Sequence, residues 1–301
     1  MRVILLGTGA GGGVPQWNCG CHNCRAARAR GRGRTQSSVA VSADGERWIL
    51  LNASPDLRTQ LAAHTPFWPV DVRESRIRAV VLTDGEIDHT LGLLLLREGT
   101  SRMPVYAPSG VAALLAGPWP LTNVLDSYAG IDVRLLPPRR SAALADADGR
   151  SLDLTCTAVP LGRRPPRYAS AASGDDHAVG LRIQDPATGG SFAYVPAAAA
   201  VDDDVCALAA GADLLCFDGT FWSDAELHDL GIAGPSARTM GHAPLGGPDG
   251  SLARLPHVGA QRTVLVHINN TNPILATDSP ERAQVTAAGV EIGEDGMDFV
   301  L

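Results

Sequence analysis

The amino-acid sequence predicts a layered α/β fold. Short apolar runs rich in β-branched residues, such as residues 79–82, alternate with helix-like segments such as 91–96. Polar side chains able to bind metal follow the ends of several of these runs, and layered α/β folds place their sites at strand ends. The 301 residues show no repeat and no low-complexity linker. We therefore expect one continuous domain over residues 1–301.

Composition narrows the class of protein. The chain is 45% hydrophobic and 19% charged, which is typical of a globular domain. Its formal net charge of −7 argues against nucleic acid and against an anionic membrane surface as partners. No apolar run approaches the ~20 residues that span a bilayer, and the N-terminal apolar block is too short for a signal peptide. We expect a cytoplasmic protein.

The first predicted strand, residues 2–6, leads into a glycine-rich stretch at 7–13. This stretch matches the GxGxxG pattern of dinucleotide-binding folds. A cysteine cluster follows Val14 and Pro15 where such folds have a crossover helix, so a dinucleotide site is disfavoured. The glycines are better explained as letting the backbone pass close to a metal ion or a substrate.

Three of the six cysteines, Cys19, Cys21 and Cys24, lie within six residues of one another. Thiolates at this spacing favour one tetrahedral Zn²⁺ site, in a loop at about residues 16–25 and in a reducing compartment. The fourth ligand is open among His22, an asparagine and a distant residue. A reactive thiol is the alternative.

Most other elements follow from apolar periodicity and turn signals. We predict strands at 37–42, 47–52, 103–107, 151–160, 178–183 and 191–195, helices at 57–63 and 110–115, and loops at 139–149 and 163–176.

Candidate metal ligands are concentrated after the strand at 79–82. Asp84, Glu86, Asp88 and His89 lie within six residues, in a turn that Thr83 opens. Carboxylates and an imidazole held between a strand and a helix are typical of a metal site. The alternative is a solvated acidic turn in which Asp88 caps a helix.

Two further strand ends add groups that can bind a metal. A predicted strand at 212–218 ends in Asp218, and another at 262–267 ends in His267. His242 lies between them, at the start of a loop or helix. A lone histidine is more often a core or surface residue, but the recurrence at three strand ends favours one metal site built from all three.

These stretches together resemble the metallo-β-lactamase superfamily, whose signature Thr-His-x-His-x-Asp-His follows a strand. The signature reads Thr-Asp-Gly-Glu-Ile-Asp-His here, over residues 83–89. The similarity is closer still to the branch that serves pyrroloquinoline quinone (PQQ) biosynthesis, and it extends nearly over the full length. It rests on the blocks at 9–21, 52–56, 217–220, 240–244 and 267–274. The resemblance implies an αββα sandwich of two mixed sheets flanked by helices.

The resemblance also implies one complete metal site and one damaged site. The complete ligand set is Asp88, His89, Asp218 and His267. In the damaged set Asp84 and Glu86 replace two histidines, and His177 is a candidate for the third. For the cysteine cluster the resemblance points to Asn270 as fourth ligand, with His22, water or no metal as alternatives.

The ligand set favours oxidation over hydrolysis, because two imidazoles with carboxylates and open positions are typical of non-haem Fe(II) centres. The resemblance implies iron-dependent hydroxylation, by O₂, of the tyrosine ring in a small peptide-derived Glu–Tyr precursor. Asp84 and Glu86 would orient water or substrate. His242 would act as acid or base, unless it is a helix-start histidine bonded to backbone.

Two other functions stay open. One is a metal-dependent hydrolase of phosphodiesters or peptides, which the glycine stretch and His242 permit. The other is a non-catalytic carrier of PQQ or its precursor. The sequence leaves the oligomeric state open, and a homo-oligomer is compatible with it.

Overall fold

The computed structural model of the protein describes residues 1–162, 165–174 and 176–301. In this part of the chain two seven-stranded sheets pack face to face, and helices cover their outer faces. The predicted αββα sandwich of two mixed sheets is therefore confirmed. No helix in the described ranges combines the length and the apolar character needed to cross a membrane.

The first sheet is built mainly from the N-terminal half of the chain. Its strands are β1 (Arg2–Gly7), β2 (Ser38–Ser42), β3 (Trp48–Leu51), β4 (Ile77–Val81), β5 (Met103–Ala107), β6 (Ile131–Leu135) and, from the C-terminus, β14 (Asp298–Val300). Their spatial order is β14-β1-β2-β3-β4-β5-β6. Pairing is antiparallel from β14 to β3 and parallel from β3 to β6.

The second sheet is built from the C-terminal half. Its strands are β7 (Ser141–Ala145), β8 (Ser151–Pro160), β9 (Val179–Gln184), β10 (Ser191–Val195), β11 (Leu214–Asp218), β12 (Arg262–Val266) and β13 (Glu291–Ile292). They follow one another in space in this order. Pairing is antiparallel from β7 to β10 and parallel from β10 to β13.

Short helices connect the strands. They are α1 (His22–Arg30), α2 (Leu57–Ala63), α3 (Ile87–Thr90), α4 (Ser109–Ala116), α5 (Leu121–Leu125), α6 (Asp203–Ala209), α7 (Glu226–Asp229) and α8 (Pro280–Ala287). Turns of 3₁₀ helix lie at Thr65–Phe67, Leu91–Leu96, Arg167–Ala169, Ser251–Ala253, Leu255–His257 and Pro273–Leu275. The predicted helical segment at 91–96 is thus a 3₁₀ helix.

Alternating residues of the central strands build the core. On β1, Val3 belongs to the apolar cluster shared by both sheets, whereas Ile4 packs with residues of α2 and α4. On β11, Cys216 faces the shared cluster and Phe217 packs with residues of α6 and α8. Both faces of these strands are therefore buried, which explains their uninterrupted apolar sequences.

One predicted loop is wrong. Residues 139–149 contain β7, which pairs with β8 and buries Leu144. Asp146, one of the residues that suggested a loop, forms the turn after β7 by accepting backbone hydrogen bonds from Asp148 and Arg150. The predicted loop at 163–176 lies partly outside the described residues, and its described part includes the 3₁₀ turn Arg167–Ala169.

The alternative interpretation of Asp88 as a helix cap is also wrong. Helix α3 begins at Ile87, so Glu86 occupies the N-cap position, and its side chain makes no capping hydrogen bond. Asp88 is therefore inside the first turn of the helix, where its carboxylate is available for other contacts.

Candidate metal centres

Two trios of potential metal ligands meet at one end of the sandwich and share His267. Asp88, His89 and His267 offer ligand atoms within 4.8 Å of one another. Asp218, His242 and His267 do the same. Helix α3, which follows β4, supplies two of these five side chains, and the end of β11 and the residue after β12 supply one each. Folding therefore brings together strand ends from both sheets.

His89 is oriented by a carboxylate behind it. Its Nδ1 atom lies 2.8 and 2.9 Å from the two carboxylate oxygens of Asp84, to which an Nδ1–H group donates. Its Nε2 atom is buried and has no hydrogen-bond partner among the described residues. A buried polar atom without a partner is costly, and a cation would supply one. The residues present therefore fit a metal ion at this position.

The charges of the first trio stabilise one another. Burial would lower the pKa of His89, but the carboxylates of Asp84 and Asp88 raise that pKa to about 9. Burial would raise the pKa of Asp88, but His89 and His267 hold that pKa well below its ordinary value. A metal ion entering this trio would take the place of a proton.

Asp218 is fully buried and accepts hydrogen bonds on both oxygens. Its Oδ2 atom accepts from the backbone N–H of Ala198 at 2.9 Å and from Nδ1 of His242 at 2.7 Å. Its Oδ1 atom accepts from the backbone N–H of Thr220 at 3.0 Å and from the Thr220 hydroxyl at 2.6 Å. Burial would raise the pKa of Asp218, but His242, His267 and the Thr220 hydroxyl lower it. Asp218 therefore anchors His242 and Thr220 as an ionised carboxylate.

The structure divides the predicted metal ligands between the two trios. Three of the four predicted ligands form the first trio, and the fourth, Asp218, lies in the second trio with His242. Asp84 lies behind His89, and the backbone N–H of Glu86 donates to Asp84 at 2.9 Å. The sequence alone did not predict the contacts of the Thr220 hydroxyl or the bond between His242 and Asp218. The only signal for them was the block at 217–220, which belongs to the family resemblance.

His177, the candidate for a third histidine of the damaged site, lies apart from both trios formed by the described residues. Its Nε2 atom is 3.2 Å from the backbone oxygen of Ser173. Its ring lies next to Gly110, at the start of α4. The following residue, Ala178, pairs with Asp84 in an isolated bridge. The segment therefore runs beside the motif turn, but the histidine ring packs against α4.

The glycine-rich stretch passes beside the first trio. A Cβ atom added at Gly11 would lie 3.1 Å from Oδ2 of Asp88, closer than ordinary van der Waals contact. The absence of a side chain at this position therefore leaves the carboxylate in place, and the backbone of the glycine stretch passes close to a candidate metal ligand.

The three thiols form a separate cluster, with sulfur atoms within 4.8 Å of one another. The side-chain amide nitrogen of Asn270 lies 3.0, 3.5 and 3.4 Å from the sulfurs of Cys19, Cys21 and Cys24. A 180° flip of this amide, an ordinary ambiguity of asparagine, would direct its oxygen to an ion held by the sulfurs. His22 is exposed on α1 and lies outside the cluster. The described residues therefore favour Asn270 over His22 as the fourth group.

Comparison with known proteins first defines the class. Residues 47–268 match the family model described as "Beta-lactamase superfamily domain". A diphosphatase from the PhnP family shares the fold, with a TM-score of 0.68 at 22% identity over 100% of this chain and 97% of that one. The chain therefore belongs to the β-lactamase superfamily and has its fold.

More similar relatives narrow the class. Coenzyme PQQ synthesis protein B from Cupriavidus necator is 44% identical over 99% of both chains, and its counterpart from Methylococcus capsulatus is 42% identical over 100% of both. The crystal structure of Zn²⁺-bound PqqB from Methylobacterium extorquens matches with a TM-score of 0.90 and 39% identity over 100% of both chains. The chain belongs to the coenzyme PQQ synthesis protein B (PqqB) family.

Proposed function

We propose that this protein acts in PQQ biosynthesis as an iron-dependent oxygenase that hydroxylates the tyrosine ring of a peptide-derived Glu–Tyr precursor. The observation that carries the proposal is the trio of Asp88, His89 and His267. Two imidazoles and one carboxylate are the ligand set of non-haem Fe(II) centres that use O₂. The names of the relatives, which are PQQ synthesis proteins, support the biosynthetic setting.

A bound Fe(II) ion would supply activation of O₂, with one oxygen atom going to the ring and the other leaving as water, at the expense of two electrons from an external reductant and two protons. The residues of the chain hold the ion and move protons. Asp84 accepts from Nδ1 of His89 and so directs Nε2 towards the ion. His242, anchored on Asp218, is placed to act as the base that takes up the phenol proton. Glu86, half-buried beside the motif turn, would orient water or substrate.

We also propose that the cysteine cluster holds a structural Zn²⁺ ion, with Asn270 as a weak fourth ligand. Three thiolates satisfy most of the tetrahedral shell that Zn²⁺ prefers. Asn270 follows His267 by three residues. An ion in the cluster would therefore brace the loop that carries the shared histidine of the two trios.

A metal-dependent hydrolase is the second candidate, and one observation favours it. The trio of Asp218, His242 and His267 is a second group that can bind a metal, and it shares His267 with the first. Two ions bound side by side would form the kind of centre that cleaves phosphodiesters. Against this, each of the two carboxylate oxygens of Asp218 already accepts two hydrogen bonds from the protein.

The test is oxygen uptake. Protein purified anaerobically and loaded with Fe²⁺ is mixed with a Glu–Tyr peptide, ascorbate and O₂; we expect O₂ consumption and a product heavier by one oxygen atom. Zn²⁺-loaded protein is the control and should give neither. Release of nitrophenol from a phosphodiester with Mn²⁺ or Zn²⁺, without O₂ uptake under Fe²⁺, would favour the hydrolase. Tight binding of PQQ without any turnover would favour a carrier.

A further inference from the structure

We infer that Thr220 is a positioning residue whose hydroxyl selects the metal-binding nitrogen of His267. The inference rests on the proposed role of His267 as a ligand. It does not depend on which metal binds or which reaction follows.

The Thr220 hydroxyl is buried at the turn after β11 and lies between two histidines and a carboxylate. Its Oγ1 atom is 2.6 Å from Oδ1 of Asp218 and 2.8 Å from Nδ1 of His267. It is also 2.9 Å from the backbone oxygen of His267 and 3.1 Å from Nδ1 of His242. One hydroxyl thus faces four polar atoms.

Donor counting assigns the proton of His267. A hydroxyl donates one hydrogen bond and accepts up to two. The carboxylate of Asp218 and the backbone oxygen of His267 can only accept, and the Thr220 proton goes to Asp218, which is ionised and makes the shorter contact. If it went to Nδ1 of His267 instead, both oxygens would face hydroxyl lone pairs at 2.6 and 2.9 Å. The hydroxyl therefore accepts from Nδ1–H of His267, and the ring lone pair is on Nε2.

The alternative tautomer of His267, with its proton on Nε2, would make the first trio less able to bind a metal ion. Nε2 of His267 lies 3.3 Å from Oδ2 of Asp88. A proton on Nε2 would be donated to that oxygen, so two of the three potential ligands would be engaged with each other. By accepting from Nδ1–H, Thr220 favours the form in which Nε2 is available to a cation.

The same residue also supports a strained backbone. His267 has a φ angle of 55°, in the left-handed region that is costly for a residue with a side chain. The backbone oxygen of Thr220 accepts from the N–H of Asn269 at 3.0 Å, and the N–H of Gly219 donates to Val266 at 2.8 Å. These bonds hold the turn of Thr220 against both sides of His267, so its ring and its hydroxyl acceptor are fixed together.

Thr220 differs from the acceptors behind the other two histidines. Nδ1 of His89 faces Asp84, and Nδ1 of His242 faces Asp218, both carboxylates. Among the three imidazoles of the described trios, His267 alone relies on a neutral hydroxyl for its shortest Nδ1 contact. Its tautomer is therefore the one most easily changed by a single substitution.

The test compares Thr220→Val, which removes the hydroxyl at nearly constant volume, with Thr220→Ser, which keeps it. Metal-free protein labelled with nitrogen-15 in its histidines is studied by proton–nitrogen correlation NMR at a pH where the ring is neutral. We expect His267 as the Nδ1–H tautomer in the native and Thr220→Ser proteins, and a mixture with the Nε2–H form in Thr220→Val. Thr263→Val, which changes another buried threonine at the opposite end of β12 from His267, is the matched control.

Metal affinity is the second measurement. Co²⁺ is titrated into protein whose cysteine cluster is preloaded with Zn²⁺, and binding is followed by visible absorption. Thr220→Val should bind Co²⁺ about 10 to 100 times more weakly, as is usual when the group behind a metal-binding histidine is removed. The Thr220→Ser and Thr263→Val proteins should bind as the native protein does.

An unchanged tautomer together with an unchanged Co²⁺ affinity in Thr220→Val would overturn the inference. If Thr220→Val fails to fold by circular dichroism, Thr220→Ala against Thr220→Ser provides the same comparison. The expected tautomer and Co²⁺ results without O₂ uptake under Fe²⁺ would instead refute the proposed oxygenase while leaving the role of Thr220 intact.

Discussion

The cysteine cluster and the histidine–carboxylate trios are assembled in opposite ways. The cluster takes its three thiols from six consecutive residues and one amide from the loop after β12. The trios take their side chains from helix α3 after β4, the end of β11, the residue after β12 and the loop that carries His242. A local cluster can form once its loop folds, whereas the trios exist only when both sheets have packed.

The two regions also differ in how their ligands are supported. Asp84 and Asp218 lie behind His89 and His242, and Thr220 lies behind His267. In the described part of the chain, the hydrogen-bond partners of the thiols are Asn270 and backbone groups. This difference agrees with the proposed structural role of the cluster and the proposed chemical role of the trios, because oriented imidazoles with buried charges are typical of reactive centres.

The strongest way to separate the two regions is His89→Ala. The substitution removes the buried Nε2 atom and leaves Asp84 and Asp88 without their shared cation, so metal affinity at the trio should fall at least ~100-fold and hydroxylation should stop. Zinc in the cysteine cluster should remain. Elemental analysis and O₂ uptake measure the two effects, with the exposed His257→Ala as control. Native O₂ uptake in His89→Ala would contradict the assignment of this centre.

The reverse separation is Cys21→Ser. Loss of one thiolate should remove the bound Zn²⁺ and lower the thermal unfolding midpoint by about 5 °C or more, since binding of a structural zinc ion contributes folding free energy. Fe²⁺ binding at the trio should survive, with reduced affinity because the loop after His267 loses its brace. Calorimetry and elemental analysis provide the measurement, and Cys206→Ser, on α6, is the matched control. Native zinc content in Cys21→Ser would show that the cluster holds no zinc.

A smaller effect is expected at Glu226, which contacts the loop joining the two regions. Its carboxylate accepts from the Thr271 hydroxyl and from the backbone N–H of Trp222. Burial raises the pKa of Glu226 to about 7, above the value of about 4.3 in an unfolded chain. Its contribution to stability is therefore fully present below about pH 4 and is lost as the pH rises through about 7.

Glu226→Gln removes this titration. Relative to the native protein, the variant should be more stable at pH 8 by on the order of 2 kcal/mol and little changed near pH 4. Urea unfolding at several pH values measures the difference, and Asp229→Asn, an exposed acid on the same helix, should show none of it. A stability difference between Glu226→Gln and the native protein that does not vary with pH would refute the raised pKa.

Local chemistry made much of the fold predictable. The strands at 103–107, 151–160 and 191–195 have the predicted bounds. The first and the third carry no charged residue, and the second alternates exposed and buried residues along most of its length. Strand β7 was missed because its sequence, with three alanines and one leucine, carries a weak β signal. Only its pairing with β8 and the burial of Leu144 make it a strand.

The sequence by itself determined which residues can bind metal, because thiol spacing and the motif after β4 are properties of short stretches. Tertiary structure decided which of them meet: His267 belongs to both trios, Asp218 anchors His242, and His177 packs against α4. The physical reason is that a hydrogen bond or a ligand distance spanning many residues depends on the packing of the two sheets. No local propensity encodes that packing.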